Sequence, residues 1–406
     1  MSDPQVLILG GGAAGFFAAI TCAEANPHAH ITILEKSRAL LSKVHISGGG
    51  RCNVTHACFD PALLVQHYPR GGAALRGPFT RFQPRDTLAW FEQRDVPLKT
   101  EGDGRVFPVS NRSETIVDCL RSSARQAGVE IRTQVSITSI ERDGRSGFVL
   151  RSNTGETFTA DRVLLATGSN PQGYAWASAL GHSIAPPVPS LFTFTIDDPR
   201  LHGLAGISVP NARVEIAGTS LTQSGPLLIT HWGLSGPAIL KLSAWGARSL
   251  HDQHYRAQLL VDWLPHQWED VVRQQLQTLK SDQPKKYLGN SSPLGLPLRL
   301  WLSLIGAIGL DADRRWTEVS KRHLAALIDQ LKRGAYAVSG KGEFKEEFVT
   351  CGGVTLDEVN FKTMESRVCP GLYFAGEILD IDGLTGGFNF QAAWTTGWLA
   401  GRALAQ

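Results

Sequence analysis

The feature that most constrains this chain is Gly10-Gly11-Gly12-Ala13-Ala14-Gly15, set between the apolar run Val6-Leu7-Ile8-Leu9 and an alanine-rich helical stretch over 13–25. A GxGxxG run in that setting has a mechanical reading. Gly10 permits the sharp turn, Gly12 lets a diphosphate reach the backbone, and Gly15 lets the helix pack close to the sheet. A second apolar strand, Ile31–Leu34, ends at Glu35, where a carboxylate can accept bonds from a ribose diol. Strand, turn, helix, strand and acid in this order predict a dinucleotide-binding α/β fold.

The turn alone does not separate FAD from NAD. Far downstream, Leu372-Tyr373-Phe374-Ala375 is an apolar strand closed by Gly376-Glu377, which lets a carboxylate reach the ribityl chain of a flavin stretched across the sheet. Leu384-Thr385-Gly386-Gly387-Phe388-Asn389-Phe390-Gln391 then opens a helix over 388–404, and N–H groups at such a start can face the pyrimidine edge of a flavin. Leu165-Ala166-Thr167-Gly168 is a third strand closed by glycine. The three in order predict one FAD, bound without a covalent link.

Between these landmarks the periodicity changes. The segment 36–85 is glycine-rich and reads as irregular, with helices expected over 86–94 and 113–127, the latter capped by Ser113. From Val129 the period is two: a parallel strand over 129–133, then a meander over 136–142, 148–152 and 157–160. The expected organisation is a discontinuous, two-dinucleotide-type FAD domain over 1–190 and 340–406. An insert over 191–339 is β-barrel-like over 191–263 and helical over 264–333. Returning strands are expected over 335–339 and 343–350.

Charge is uneven. Lys36, Arg38, Lys43, Arg51, Arg70, Arg76, Arg81 and Arg85 face a single acid, Asp60, over 36–85, in a chain of net charge +3. Such a stretch suits a cofactor diphosphate, an anionic substrate or nucleic acid. The six cysteines include no CxxC pair, so reduced thiols are expected rather than a zinc or dithiol centre. With no secretory signal and no long apolar run, a cytoplasmic protein is expected, without a membrane span or metal.

A fourth motif is Lys43-Val44-His45-Ile46-Ser47-Gly48-Gly49-Gly50-Arg51-Cys52-Asn53-Val54-Thr55. Together with Gly104–Ser110, His231–Pro237 and Gly376–Gln391, it resembles the BaiN/RdsA family of NAD(P)/FAD-dependent oxidoreductases, over about residues 5–402. The resemblance implies that Gly10, Gly12, Ala14, Gly15, Glu35 and Lys36 hold the ADP moiety and that Val135 meets the adenine. It implies that Lys43, Ser47, Gly49, Gly50, Arg51, Cys52 and Asn53 line the flavin side. Ala166, Thr167 and Gly168 would lie by the diphosphate, and Glu377, Asp382, Gly386, Gly387 and Asn389 at the ribityl-flavin end. Ser169 and Phe390 depart from the residues common among relatives, which bears on packing near the ring rather than on FAD binding.

The activity implied is NAD(P)H-driven reduction of an activated C=C bond, with NAD(P)H a transient reductant because no second nicotinamide fold is visible. The partner is then a small molecule, or ribosomal RNA in which uridine becomes dihydrouridine. For RNA, Arg38, Arg70, Arg76, Arg81 and Arg85 are the arginines left over from the FAD motifs. A redox-sensing or non-catalytic flavoprotein is the third reading. Cys52 reads first as a buried structural cysteine, His231-Trp232 fits a turn as well as a substrate face, and Asp380 and Asp382 fit flavin-hydroxyl contacts or helix-entry capping better than a metal. His45 is a candidate proton donor for which no spacing supports a specific partner, and no catalytic residue is assigned.

Overall fold

Four short continuous apolar runs suit a parallel sheet covered by other layers. The computed structural model, which describes residues 3–144, 147–342 and 349–406, has that arrangement. Strand β1 (Gln5–Leu9) pairs in parallel with β2 (His30–Glu35) on one side and with Arg162–Leu165 on the other. Glu130–Thr133 extends the sheet beyond β2, and Leu372–Phe374 extends it beyond Arg162–Leu165. Two short antiparallel strands, Glu365–Ser366 and Val359–Asn360, complete seven. The register aligns Leu9 with Leu34 and Leu165, and Leu165 with Phe374. The carboxyl ends of these strands therefore share one edge, the edge where α/β sheets bind ligands.

Helix α1 (Ala13–Ala25) is almost wholly buried and packs on the C-terminal helix Phe388–Leu404. Contact is close because Gly397 and Gly401 lack side chains: a Cβ on either would lie 2.7 Å from the Ala14 carbonyl oxygen or 2.4 Å from that of Ala18. The meander forms a separate three-stranded sheet, Ile137–Asp143, Gly147–Ser152 and Thr157–Ala160.

The stretch expected to be irregular is largely helical. Helix α2 (Ser42–Gly50) is followed by Pro61–Leu64, Gly72–Arg81 and Pro84–Glu92. Two of these start at proline behind a polar cap: Asp60 accepts from the Ala62 N–H, and the Asp86 carboxylate accepts from the Gln83 N–H. Glycine content hid these signals. The later helix spans Ser113–Gln126 with Arg112 at the cap, so Ser113 is its first residue and is buried rather than capping.

The chain divides into two units, 1–188 with 349–406, and 189–348. The second is an antiparallel seven-stranded sheet whose longest strands are Ser208–Ile216 and Thr222–Ile229. Helices Glu269–Asp282, Leu298–Gly306 and Lys321–Arg333 supply much of its core, around Trp263, Trp301 and Tyr336. Two further helices, Pro237–Trp245 and Ala247–Asp252, occupy part of the stretch read as strands. Of the returning strands, Gly334–Val338 joins this sheet and Val349–Val354 belongs to the first unit; residues 343–348 lie outside those described.

Candidate functional site

The sheet edge positions three groups of residues. In the first, Gly10 has φ +116°, and a Cβ there would sit 2.4 Å from the Ala166 carbonyl oxygen. A Cβ on Gly15 would meet the Gly10 carbonyl oxygen at 2.0 Å. Gly12 differs: nothing lies within 4 Å of its Cβ position, and helix α1 begins there without a side-chain cap. The uncapped N–H groups and partial positive charge of a helix start thus meet open space. Glu35 reaches back to this turn, accepting from the Gly11 N–H at 2.8 Å and from the Ser37 N–H and hydroxyl at 2.8 and 2.9 Å. Three bonds leave a carboxylate with acceptor capacity to spare. The Val135 N–H donates to the Glu35 carbonyl at 3.0 Å, which places it beside the turn, and Lys36 is exposed. Ala14 fits against Gly376, so the turn and the distant Gly-Glu strand touch.

The second group centres on α2. Its regular turns end at Ser47, and Gly48, Gly49 and Gly50 follow with φ of 57°, 68° and 80°. Consecutive left-handed residues cost about 1–2 kcal/mol each outside glycine, which explains the run. No atom approaches the Cβ positions of Gly49 or Gly50 within 4 Å. Lys43 pairs with Glu377 at 2.5 Å, and Glu377 also accepts from the Thr350 N–H at 3.0 Å. Gly168 is near Glu377, 3.7 Å from its Cβ position. The Thr167 hydroxyl is buried without a partner and turns toward Gly173.

The third group joins the fourth motif to the C-terminal helix. The Asn53 amide oxygen accepts from the Gly387 N–H at 3.0 Å, while its nitrogen donates to the carbonyls of Val106 and Thr55. Gly387 has φ +93° and a Cβ there would strike the Thr55 carbonyl at 2.5 Å. Gln391 holds the junction, accepting from the hydroxyls of Thr55 and Thr87 at 2.6 and 2.9 Å and donating to Thr395 at 3.0 Å. Asn389 closes the 383–389 loop through two 2.8 Å bonds to Gly383. His56 stacks on Phe388, which stacks on His67, with centroids 4.7 and 4.3 Å apart.

Several side chains are committed inside the protein. Arg51 donates to Glu101 at 2.7 Å and lies 3.9 Å over the Phe107 ring. Cys52 is fully buried, and burial pushes its thiol up to about 12, so no thiolate is offered at neutral pH. The Ser47 hydroxyl donates to the Val44 carbonyl. Both Asp382 oxygens are taken by the Arg70 guanidinium. Arg70 therefore leaves the set of arginines left over for RNA. Arg81 donates to the Lys362 carbonyl at 2.6 Å, and Arg85 lies over Phe59. His45 is exposed, with its ring 4.0 Å from the Glu114 carboxylate. His231 and Trp232 sit exposed in a tight turn, closed by the Thr230 N–H to the Gly233 carbonyl at 2.8 Å. Among the described residues no cluster of three metal-ligating side chains occurs, and no helix is long and apolar enough to cross a membrane.

Sequence reasoning missed Arg70, Glu101 and the threonine–Gln391 network. Arg70 carried a signal only as one of many arginines, and the threonines carried none.

With this geometry in hand, comparison is informative: residues 4–403 match the model described as the HI0933-like protein Rossmann domain. The chain belongs to the HI0933-like family of FAD-type Rossmann proteins. It is 30% identical over 412 residues to the 3-dehydro-bile acid delta(4,6)-reductase of Clostridium scindens, covering 99% of both chains. It is 29% identical over 418 residues to the ribosomal RNA dihydrouridine synthase of Escherichia coli, covering 98% of both. The 3-ketosteroid-delta4-(5alpha)-dehydrogenase of Rhodococcus jostii shares its fold, with a TM-score of 0.52 at 16% identity over 100% of this chain and 98% of that one. The HI0933-like chain is thus an α/β Rossmann-type FAD-binding protein with an inserted unit, related to flavin-dependent oxidoreductases.

Proposed function

We propose that this protein is an FAD-dependent reductase that adds hydride and a proton across an activated C=C bond, recharged by transient binding of NAD(P)H. The observation that carries the reading is the cradle itself. Gly12, Gly49 and Gly50 leave open space along one sheet edge, flanked by Glu35 at one end and by Lys43 and Glu377 at the other. Support comes from the relatives: one is named a delta(4,6)-reductase and the other makes dihydrouridine, and both reactions saturate a carbon–carbon double bond.

In this reading Glu35 accepts the adenosine ribose hydroxyls, and the uncapped start of α1 faces the diphosphate beside Gly10, Gly12, Ala166 and Gly168. Glu377 meets the ribityl hydroxyls. The start of the C-terminal helix, which also lacks a side-chain cap, presents partial positive charge to the ring's pyrimidine edge. Asp382 and Cys52 act indirectly, through Arg70 and through packing. Bound FAD supplies a two-electron carrier able to take and return hydride.

The test is anaerobic. Purified protein should be bleached at 450 nm by NADPH or NADH and recover its colour on adding a conjugated substrate. The substrate arms are unsaturated 3-ketosteroids, and mapping of dihydrouridine in ribosomal RNA from a deletion strain. Flavin that neither nucleotide reduces would overturn the reductase reading in favour of a structural or sensing role.

A further inference from the structure

Next to the Gly11–Glu35 end of the cradle, the helix Ser113–Gln126 and the edge strand Glu130–Thr133 border an open cleft of about 350 Å³, lined by Leu40, Arg121, Arg125, Val129, Ile131 and Thr133. Its composition is unusual for a surface cleft. Leu40, Val129 and Ile131 form an apolar wall. Arg121 and Arg125, one helical turn apart on one face, bring two exposed guanidiniums to it. Among the described residues neither guanidinium has a hydrogen-bond or ion-pair partner.

Strand parity keeps the neighbouring acids away. Ile131 and Thr133 point to the cavity, so Glu130 and Arg132 point to the other face. There Glu130 accepts from the Thr32 hydroxyl at 3.1 Å and Arg132 pairs with Glu156 at 2.7 Å. Asp118 lies one turn before Arg121 and is exposed, but among the described residues it forms no ion pair with either arginine. Arg38, exposed on the loop that delivers Leu40, adds positive charge.

We propose that this cavity is a second nucleotide site, adjoining the Glu35 end of the FAD cradle but separate from it. A flat ring would lie on Leu40, Val129 and Ile131, and its phosphate would bridge Arg121 and Arg125. The volume is at the lower end of small-ligand pockets, about 300–1,000 Å³, which suits a mononucleotide and not a dinucleotide. Paired guanidiniums suit phosphate because each offers planar, parallel donors. The same chemistry is offered by a free nucleotide and by a nucleotide within an RNA strand.

The experiment uses FAD-loaded protein and three probes: AMP, adenosine 2′,5′-bisphosphate and a short oligoribonucleotide. Binding is read by calorimetry, with flavin absorbance as the control for cofactor retention. The Arg121→Ala/Arg125→Ala variant should weaken binding of at least one probe about tenfold or more without loss of FAD. Arg121→Lys/Arg125→Lys should recover part of it, which separates a charge effect from a folding one. Binding by mononucleotides assigns a free nucleotide; binding by the oligomer alone, with a shallower salt dependence in the alanine variant, assigns RNA. The proposal is overturned if no probe binds, if the alanine variant binds equally well, or if binding appears only after FAD is removed. The last result would identify the cofactor's own adenosine site.

Discussion

The Lys43 ammonium lies 2.5 Å from the Glu377 carboxylate although 334 residues separate them. One comes from α2 and the other from the turn after Leu372–Phe374, so the pair ties the glycine-rich motif to the Gly-Glu strand. Both flank the open cradle, so the pair should govern cofactor retention more than folding. Lys43 is 54% exposed, and such pairs contribute under about 1 kcal/mol to stability. Glu377→Gln keeps an acceptor for the Thr350 N–H but loses the charge. Expected are a melting temperature within about 2 °C of wild type for the apoproteins and an FAD dissociation constant raised about tenfold, read by fluorescence recovery on dilution.

The glycines of the first turn separate binding from folding. Gly12 has φ −94° and an empty Cβ position, so Gly12→Ala fits the folded chain and obstructs only what enters the space. Gly15→Ala collides with the Gly10 carbonyl at 2.0 Å and should cost about 1–3 kcal/mol. Urea unfolding of apoprotein should show a lowered midpoint for Gly15→Ala and none for Gly12→Ala, while both lose FAD. An unchanged FAD content in Gly12→Ala would place the diphosphate elsewhere.

Arg70 and Asp382 form a buried pair, with Asp382 wholly inaccessible and Arg70 16% exposed. Removing one partner leaves a buried charge uncompensated, a loss of about 3–5 kcal/mol. Arg70→Met should therefore destabilise more than Arg70→Met/Asp382→Asn, measured by denaturant midpoints of apoprotein. Equal losses would show that the pair is not the source of the effect.

Much of the edge was legible because glycine at a forced turn has a chemical cause visible in sequence. Gly10, Gly15 and Gly387 each stand where a Cβ would strike a backbone carbonyl. The strands were legible for the same kind of reason, since a doubly buried strand is a continuous apolar run. The helices after α2 were hidden because Gly72–Arg81 contains two glycines and Pro78, which read as punctuation. Asp382 illustrates the remaining difficulty. Its position beside the Gly-Glu strand suggested a direct cofactor contact, whereas its partner Arg70 comes from a segment whose fold the sequence did not disclose.

Cys52 gives a prediction in pH. Its folded thiol is pushed up to about 12, against about 8.5 in an unfolded chain. A raised value favours the folded state fully below about pH 8.5, and that contribution fades as pH rises toward 12. In native protein, iodoacetamide mapped by mass spectrometry should leave Cys52 unmodified at both pH 7 and pH 9. Rapid labelling at pH 7 would contradict the buried assignment.

The central claim is one non-covalent FAD seated along the sheet edge, and the most direct measurement is the flavin released by acid precipitation of freshly purified protein. The expected result is intact FAD in the supernatant at close to one per chain, with Glu35→Ala protein retaining much less. FMN in the supernatant, flavin held in the pellet, or full retention by Glu35→Ala would contradict it.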